Sequence, residues 1–342
     1  MTRRVLLIYT GGTIGMGRNA QTGALEPLDF NKLEQSMPEF QFLETEIDTY
    51  QFNPPIDSSD MSPRLWAQLV RIIASHYDQY DGFVILHGTD TMAYTASALS
   101  FMMENLTKPV ILTGSQLPIG QLRTDGKENI ITSIELASAY KSDGKPRVPE
   151  VCIYFSGKLL RGNRSTKINA DGFNAFDSFN YTPLCHAGVN FSFHDHHILT
   201  PDYDKPMIPH YGLDTNVIVF SLFPGVQEHI VRHILDAPEL RSIVMRTFGS
   251  GNAPQKPWMI KLLKEATYRG VTIVNISQCI AGSVEMGRYD TGWQLKEAGV
   301  ISGRDSTVEA AVTKLMHLQS IYKDHQMIRK MMTHSLCGEI TI

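Results

Sequence analysis

Three short apolar runs, each followed by a glycine-containing turn with hydroxyl side chains, constrain this sequence more than any other feature. The pairs of run and turn are VLLIY with TGGTIG (residues 5–15), FVIL with HGTDT (83–91) and VIL with TGSQ (110–116). Runs of this kind predict buried strands of a parallel sheet. Ligands bind open α/β sheets outside the carboxyl ends of the strands, so we expect the three turns to meet there. A pocket rich in hydroxyl and backbone N–H groups suits a small polar ligand better than an apolar cofactor.

The turn residues by themselves leave two interpretations open. Thr13 follows two glycines and either bonds the local backbone, as turn threonines commonly do, or serves as a nucleophile. One of Asp90 and Thr91 can cap the helix that follows, but not both, because a helix has one N-cap. His87 is interpreted as a structural histidine, since nothing near it in the sequence forms a Ser-His pair.

Two polar segments elsewhere are candidate parts of the same pocket. In DSSDMSP (57–63), Ser62 followed by proline predicts the start of a helix, whereas Ser58 and Ser59 are open to ligand binding. The run KLLRGNRSTK (158–167) carries four cations. This run is either a solvated loop or brings one lysine to the hydroxyl groups. A desolvated lysine has a lowered pKa and can accept a proton from a threonine.

The alternation of strands and helices over the whole chain predicts an α/β fold of two doubly wound parallel-sheet domains. We expect a larger N-terminal catalytic domain (1–185) and a smaller, flavodoxin-like C-terminal domain (215–342). Prolines, glycines and weak periodicity predict a linker between them (186–214). Residues 17–28 are expected to form a mobile loop able to cover a substrate, and 31–38 a short helix.

Bulk properties exclude several classes of function. A net charge of −4 argues against a nucleic acid or an anionic membrane as partner. The first apolar run is too short to span a membrane and lacks the cleavage site of a signal peptide. The four cysteines form no CxxC pair, and the histidines at 194–197 lack a supporting ligand framework. We therefore expect a cytoplasmic protein without a metal site or disulfides.

Motifs spread over nearly the whole chain resemble those of the bacterial type I (cytosolic) L-asparaginases. They are TGGTIG (10–15), DSSDM (57–61), HGTDTM (87–92), TGSQ (113–116), RGNRSTK (161–167), FGSGNAP (248–254) and the Gln278-Cys279 pair. The resemblance implies hydrolysis of L-asparagine to L-aspartate and ammonia without a cofactor. It implies Thr13 as the nucleophile, acting through a β-aspartyl enzyme, and a second triad of Thr89, Asp90 and Lys167. This chemistry is reasonable because an amide is a poor electrophile and a threonine hydroxyl a weak nucleophile, so a base and an oxyanion site are both needed.

The resemblance also implies how the substrate is held. Ser58, Ser59 and Asp90 would bind its α-carboxylate and α-ammonium groups, and the residue types agree with these roles. Thr89 and Ser115, at the ends of the second and third predicted strands, are further candidates for substrate contact. The partner is thus a small molecule.

Further features of the family concern a second subunit. The resemblance implies a homo-oligomer, a dimer or tetramer, in which an adjacent subunit's second domain completes the active site and makes Asn252 a candidate. The family often has a tyrosine in the loop after the nucleophile, where this chain has Gly-Ala-Leu (23–25), so Tyr289 is the candidate phenol from a neighbouring subunit. A second, allosteric asparagine site would include Thr166, Arg246 and Cys279.

Two rival functions remain. A related amidohydrolase could act on glutamine or on a misacylated tRNA, although the chain shows no basic excess for tRNA. A metabolite- or nucleotide-binding sensor could use the glycine turns, but the chain has neither a GxGxxG fingerprint nor a Walker lysine motif.

Overall fold

The computed structural model describes residues 2–18, 25–27, 37–287 and 290–342. Most of the loop predicted at 17–28 and of the helix predicted at 31–38 lies outside the described residues. The chain divides into two compact units, Met1–Tyr211 and Gly212–Ile342.

The first unit is built on a mixed sheet of eight strands. The strands are β1 (Arg3–Tyr9), β4 (Thr45–Gln51), β5 (Gly82–Leu86), β7 (Val110–Thr113), β8 (Val151–Phe155), β9 (Lys158–Arg161), β12 (Cys185–Ala187) and β13 (Phe191–Phe193). Their order across the sheet is β13-β12-β9-β8-β7-β5-β1-β4. The five strands from β8 to β4 are parallel, and β9, β12 and β13 extend the sheet as antiparallel neighbours.

Strand order and register bring the three predicted turns together. Strand β1 lies between β4 and β5, the next two parallel strands along the chain, so the strand order reverses at β1. Open α/β sheets bind ligands at such a switch point. Tyr9 of β1 is level with Leu86 of β5, and Leu86 is level with Thr113 of β7. The three buried strands are as predicted, and their turns leave the sheet from one row.

Helices and short strand pairs complete the first unit. The helices are α1 (Pro63–His76), α2 (Met92–Met102) and α3 (Gly126–Ala137). The short strands are β2 (Met16–Arg18) with β3 (Leu25–Pro27), β6 (Met103–Glu104) with β14 (Ile208–Pro209), and β10 (Thr166–Lys167) with β11 (Phe176–Asp177). Helix α1 follows Ser62 and begins with a proline, as predicted, and packs an apolar stripe inward.

The second unit has a separate four-stranded parallel sheet with helices on both faces. Its strands are β15 (Val217–Ser221), β16 (Ser242–Thr247), β17 (Thr272–Ser277) and β18 (Ile301–Ser302). Its helices are α4 (Glu228–Leu235), α5 (Pro257–Tyr268), α6 (Asp290–Glu297), α7 (Val308–Ile321) and α8 (His325–Met332). The strands lie in chain order, so right-handed crossovers place α4, α5 and α6 on one face, while α7 and α8 pack against the other. A reversal of strand order occurs in the first unit, whereas the second unit is a separate α/β domain with a parallel sheet, as expected.

The segment 186–214, expected as a linker, is largely part of the first unit. Strands β12 and β13 pair with each other, and β12 pairs with β9, so this stretch extends the large sheet. The contacts divide the chain after Tyr211 instead. Proline- and glycine-rich stretches can form short edge strands, which have too little periodicity to be read from sequence. Across the described part of the chain, no helix has the length and apolar character that crossing a membrane requires.

Candidate active site

Close backbone contacts at glycines join the turns at the sheet edge. A Cβ placed on Gly12 would lie 2.5 Å from both Cα and N of Gly88. One on Gly88 would lie 2.5 Å from Ser58 Oγ, and one on Gly114 would lie 2.4 Å from the carbonyl oxygen of His87. No side chain fits at these distances, so glycine is required at each position. The turns after three strands and the 57–60 segment therefore meet at one place.

Thr13 differs from the other turn threonines in what its hydroxyl group does. Thr10 Oγ1 donates to the carbonyl of Leu86 and Thr113 Oγ1 to that of Tyr154, each at 2.9 Å. Those two threonines are buried and serve the backbone. Thr13 is half-buried at the start of a short 3-10 helix, Thr13–Gly15, and its hydroxyl bonds to no other described residue. This leaves Thr13 Oγ1 available for a ligand.

Lys167 is the cation of the basic run that reaches the hydroxyl groups. Its ammonium donates to Thr89 Oγ1 at 2.9 Å and to Asp90 Oδ1 at 2.6 Å. The Lys167 side chain is 20% exposed, whereas that of Asp90 is 65% exposed. Pairing of β10 with β11 fixes the backbone at Lys167, so the hairpin presents the amine to the turn after β5. The three residues expected to form a triad thus lie in one hydrogen-bonded group.

Gln116 belongs to this group, although the sequence did not single it out. Thr89 Oγ1 donates to Gln116 Oε1 over a long 3.5 Å. Gln116 Nε2 donates to the carbonyl groups of Ala170 at 3.1 Å and Gly172 at 3.0 Å, both in the loop that follows Lys167. The glutamine therefore joins the turn after β7 to Thr89 and to the hairpin. Its place in the TGSQ motif was the one available signal.

The candidate serines are in contrasting environments. Ser58 is buried against Gly88, and its carbonyl accepts a hydrogen bond from Thr91 Oγ1 at 2.6 Å. Ser59 donates both its N–H and its hydroxyl to Asp57 Oδ1 at 2.9 Å, and these bonds lower the pKa of the Asp57 carboxyl group. Ser115 is also buried, and its hydroxyl donates to the carbonyl of Leu117 at 2.6 Å.

Thr91, and not Asp90, occupies the N-cap position of α2. Its side chain makes no capping bond, because the hydroxyl is directed to Ser58. Asp90 is consequently free of a capping role and pairs with Lys167.

His87 has the structural role that its sequence context suggests. Its Nδ1 lies 2.6 Å from the carbonyl oxygen of Gly88, which can only accept, so Nδ1 carries the proton. Thr95 Oγ1 lies 2.9 Å from Nε2 of His87 and accepts from Trp66 Nε1 at 2.9 Å. The ring is fully buried, and this burial lowers its pKa to about 4. His87 is therefore neutral near pH 7 and holds the Gly88 turn.

Titration of His87 is expected to make the protein less stable in mild acid. The pKa is lower in the folded chain, so the unfolded chain binds the extra proton first as pH falls. The contribution of His87 is complete above about pH 6.5 and decreases progressively toward pH 4. Its full size is about 3.5 kcal/mol, from about 1.4 kcal/mol per pH unit over the shift from 6.5 to about 4. Denaturant unfolding of wild type and His87→Gln between pH 4 and 7.5 measures this difference in slope.

An exposed histidine supplies the control for this measurement. His196→Gln, which replaces an exposed histidine, is measured over the same pH range. Parallel curves for wild type and His87→Gln would contradict the assignment.

The remaining candidates lie in other places. Thr166 is in the first unit beside Lys167, whereas Arg246 and Cys279 are in the second, at the carboxyl ends of the neighbouring strands β16 and β17. Cys279 is exposed, and its N–H bonds to Ser277 Oγ at 2.9 Å. Asn252 closes a tight turn by exchanging backbone bonds with Phe248.

One candidate residue cannot be placed beside the others. Tyr289 lies outside the described residues. Within the described ranges, no group of three or more His, Cys, Asp or Glu side chains is arranged to hold a metal ion.

Fold and site together define a class of protein. It is a two-unit α/β protein whose parallel sheet carries a hydroxyl- and amine-lined site at the switch point of its strand order. This is the edge at which proteins of such architecture bind small ligands.

Comparison with known proteins narrows the class to a family. Residues 4–199 match the family model of the asparaginase N-terminal domain, and residues 216–332 match that of the glutaminase/asparaginase C-terminal domain. L-asparaginase 1 of Escherichia coli is 44% identical over 99% of this chain and 98% of its own. L-asparaginase I of Vibrio cholerae is 42% identical, with a TM-score of 0.90 over 100% of both chains. The thermostable L-asparaginase of Thermococcus kodakarensis, 33% identical, gives a TM-score of 0.90 over 99% of both. The chain therefore belongs to the asparaginase family.

Proposed function

We propose that this chain hydrolyses the side-chain amide of L-asparagine to give L-aspartate and ammonia. The family and the L-asparaginases named above support this substrate. The observation that carries the proposal is the Lys167 ammonium, which bonds Thr89 at 2.9 Å and Asp90 at 2.6 Å. This group follows Gly88, which contacts the turn that carries Thr13. The proposed nucleophile Thr13, the proton relay through Lys167 and the Asp90 carboxylate that holds the substrate thus belong to the same edge of the sheet.

The reaction proceeds in two steps through a covalent intermediate. Thr13 Oγ1 attacks the amide carbon, and backbone N–H groups at the strand ends stabilise the oxyanion. With its amine neutral, Lys167, held by Asp90, accepts the Thr13 proton through Thr89 and returns it to the amide nitrogen, the C–N bond breaks, and ammonia leaves. Water then attacks the β-aspartyl ester, the bond to Thr13 breaks, and a proton from that water restores the hydroxyl.

The α-substituents of the substrate hold it in place. The exposed carboxylate of Asp90 pairs with the α-ammonium, and Ser58 donates to the α-carboxylate. The N–H and hydroxyl groups of Ser59 and the hydroxyl group of Ser115 donate to acceptors in their own turns. The two hydroxyl oxygens therefore contact the substrate as acceptors. Thr89 and Asn252 complete the proposed binding set.

Replacement of Lys167 by methionine is expected to lower kcat for asparagine about 10³-fold, because it removes the relay while keeping side-chain length. The measurement is ammonia release, with glutamine assayed in parallel. Lys158→Met is the matched control: it removes an ion pair with Asp177 at 3.0 Å from the same basic run and should keep the wild-type rate within about twofold.

The outcomes separate the proposal from its rivals. A Lys167→Met rate above a tenth of wild type would contradict the relay. Faster ammonia release from glutamine would change the proposed substrate but not the site. Release from neither amide by the wild type would favour a binding protein.

Three further features are proposed from the resemblance. The chain acts in the cytoplasm as a homo-oligomer, a dimer or tetramer, in which Asn252 and Tyr289 act on a neighbouring subunit's site. A second asparagine binds at Thr166, Arg246 and Cys279 and activates the enzyme. A sigmoidal dependence of rate on asparagine concentration tests this activation.

A further inference from the structure

The carboxylate of Asp125 holds the backbone of the turn after β7. The N–H of Gln116 lies 3.1 Å from both Oδ1 and Oδ2 of Asp125, and the N–H of Leu117 lies 3.2 Å from Oδ1. Asn129 Nδ2 donates to Oδ2 at 3.3 Å. An ionised carboxylate accepts through both oxygens and has no donor of its own, so it suits three converging N–H groups.

This carboxylate does not serve its own helix. Asp125 occupies the N-cap position of α3, yet its side chain makes no capping bond. The N–H of Gly126 bonds to Thr124 Oγ1 at 3.0 Å instead. A capping aspartate is directed to the N–H groups of the first turn of its helix. Asp125 is directed to the site turn, so helix stability does not account for its orientation.

Gly126 and Asn129, near the start of α3, contact the turns that follow β1 and β7. Asn129 is buried and donates to the carbonyl of Gly114 at 2.9 Å. A Cβ on Gly126 would lie 3.2 Å from Ile14 Cγ1 and 3.3 Å from Ser115 Cβ. Ile14 directly follows Thr13, so the start of α3 packs between the nucleophile turn and the turn after β7.

Gln116 connects this arrangement to the reacting group. Its backbone N–H is held by Asp125, and its side chain contacts Thr89 and the loop after Lys167. Because Asp125 holds the backbone N–H of Gln116, the position of Gln116 Oε1 depends on Asp125.

We propose that Asp125 is a positioning residue of the catalytic site, which fixes the turn at residues 114–117 and through Gln116 the alignment of Thr89 with Lys167. The assignment rests on the proposed asparaginase function. Asp125 does not touch the substrate, so it contributes to kcat and not to binding by Ser58 and Asp90.

Two substitutions of Asp125 test the assignment. Asp125→Ala removes all acceptors and is expected to lower kcat for asparagine about 100-fold, since a displacement of about 1 Å in a catalytic group costs that much. Asp125→Asn keeps one carbonyl oxygen and should lose only about 10-fold. KM should change less than kcat in both, because Ser58 and Asp90, which hold the α-groups of the substrate, lie outside the turn that Asp125 fixes. Glu135→Gln removes an exposed carboxylate from the same helix and should leave both constants unchanged.

Rates are expressed per folded molecule, and amide hydrogen exchange of Gln116 and Leu117 is measured alongside. Exchange in Asp125→Asn should be at least 10-fold faster at these two amides while amides in the middle of α3 keep their protection. Unchanged kcat in Asp125→Asn, or a rise in KM that equals the fall in kcat/KM, would overturn the assignment while the wild type remains an asparaginase. No ammonia from asparagine with the wild type would overturn the proposed function, and the assignment with it. If Asp125→Ala does not fold, Asp125→Asn decides alone.

Discussion

Thr13→Ala is expected to lower ammonia release from L-asparagine by at least about 10⁴-fold, because it removes the attacking oxygen itself. Thr13 bears a turn hydroxyl that bonds to no other described residue, at the point where Gly12 meets Gly88. The substitution costs little stability, since the side chain lost is half-buried and has no hydrogen bond to another described residue. A coupled assay of ammonia release measures the effect, and a thermal melt checks that the variant is folded.

Two controls make this result specific to the hydroxyl group. Thr13→Ser keeps an oxygen and should retain a measurable fraction of the rate. Thr313→Val removes the hydroxyl of a buried threonine in α7, which bonds only to that helix, and should keep the rate within about twofold. A Thr13→Ala enzyme as fast as the wild type would refute the nucleophile assignment.

Lys314→Met is expected to lower the free energy of unfolding by about 3–5 kcal/mol, because it leaves a buried carboxylate without its cation. Lys314 Nζ lies 2.5 Å from Glu339 Oε1, with 2% and 0% of the two side chains exposed. Burial lowers the pKa of Lys314. The Glu339 carboxylate opposes this by favouring the charged amine, but burial has the larger effect. Glu339 also accepts the N–H groups of Leu336 and Cys337, so the pair fixes the C-terminal segment to the second unit.

Denaturant unfolding followed by circular dichroism measures this loss. Lys261→Met is the matched control, because Lys261 pairs with Glu265 at 3.9 Å on the surface, with 71% of the lysine side chain exposed. Its cost should be below about 0.5 kcal/mol. Lys314→Met combined with Glu339→Gln should recover part of the loss, because no unpaired charge then remains buried. Equal stability of Lys314→Met and wild type would show that the buried pair is dispensable.

The site could be predicted from sequence where its residues lie next to a strand end. Thr13 and Thr89 follow from apolar runs and glycine turns, because parallel strands of one sheet end at a common edge. Ser58 was a candidate from the polar segment DSSDMSP. Gln116 and Asp125 could not be found in this way. Their roles depend on the directions of side chains, and on contacts between a turn and a helix about ten residues further along the chain.

The sequence alone determined the three buried strands that precede the glycine turns, where those strands end, and that one lysine of the basic run could serve the hydroxyl groups. These follow from local apolar patterns, from glycine at close backbone approaches and from charge. The tertiary structure decided that Lys167, which the resemblance had named, bonds to Thr89 and Asp90, that Thr10 and Thr113 serve the backbone while Thr13 does not, and that β12 and β13 extend the sheet. The physical reason is that hydrogen-bond partners distant in sequence compete for the same donors and acceptors. Only the folded chain shows which partner each group has.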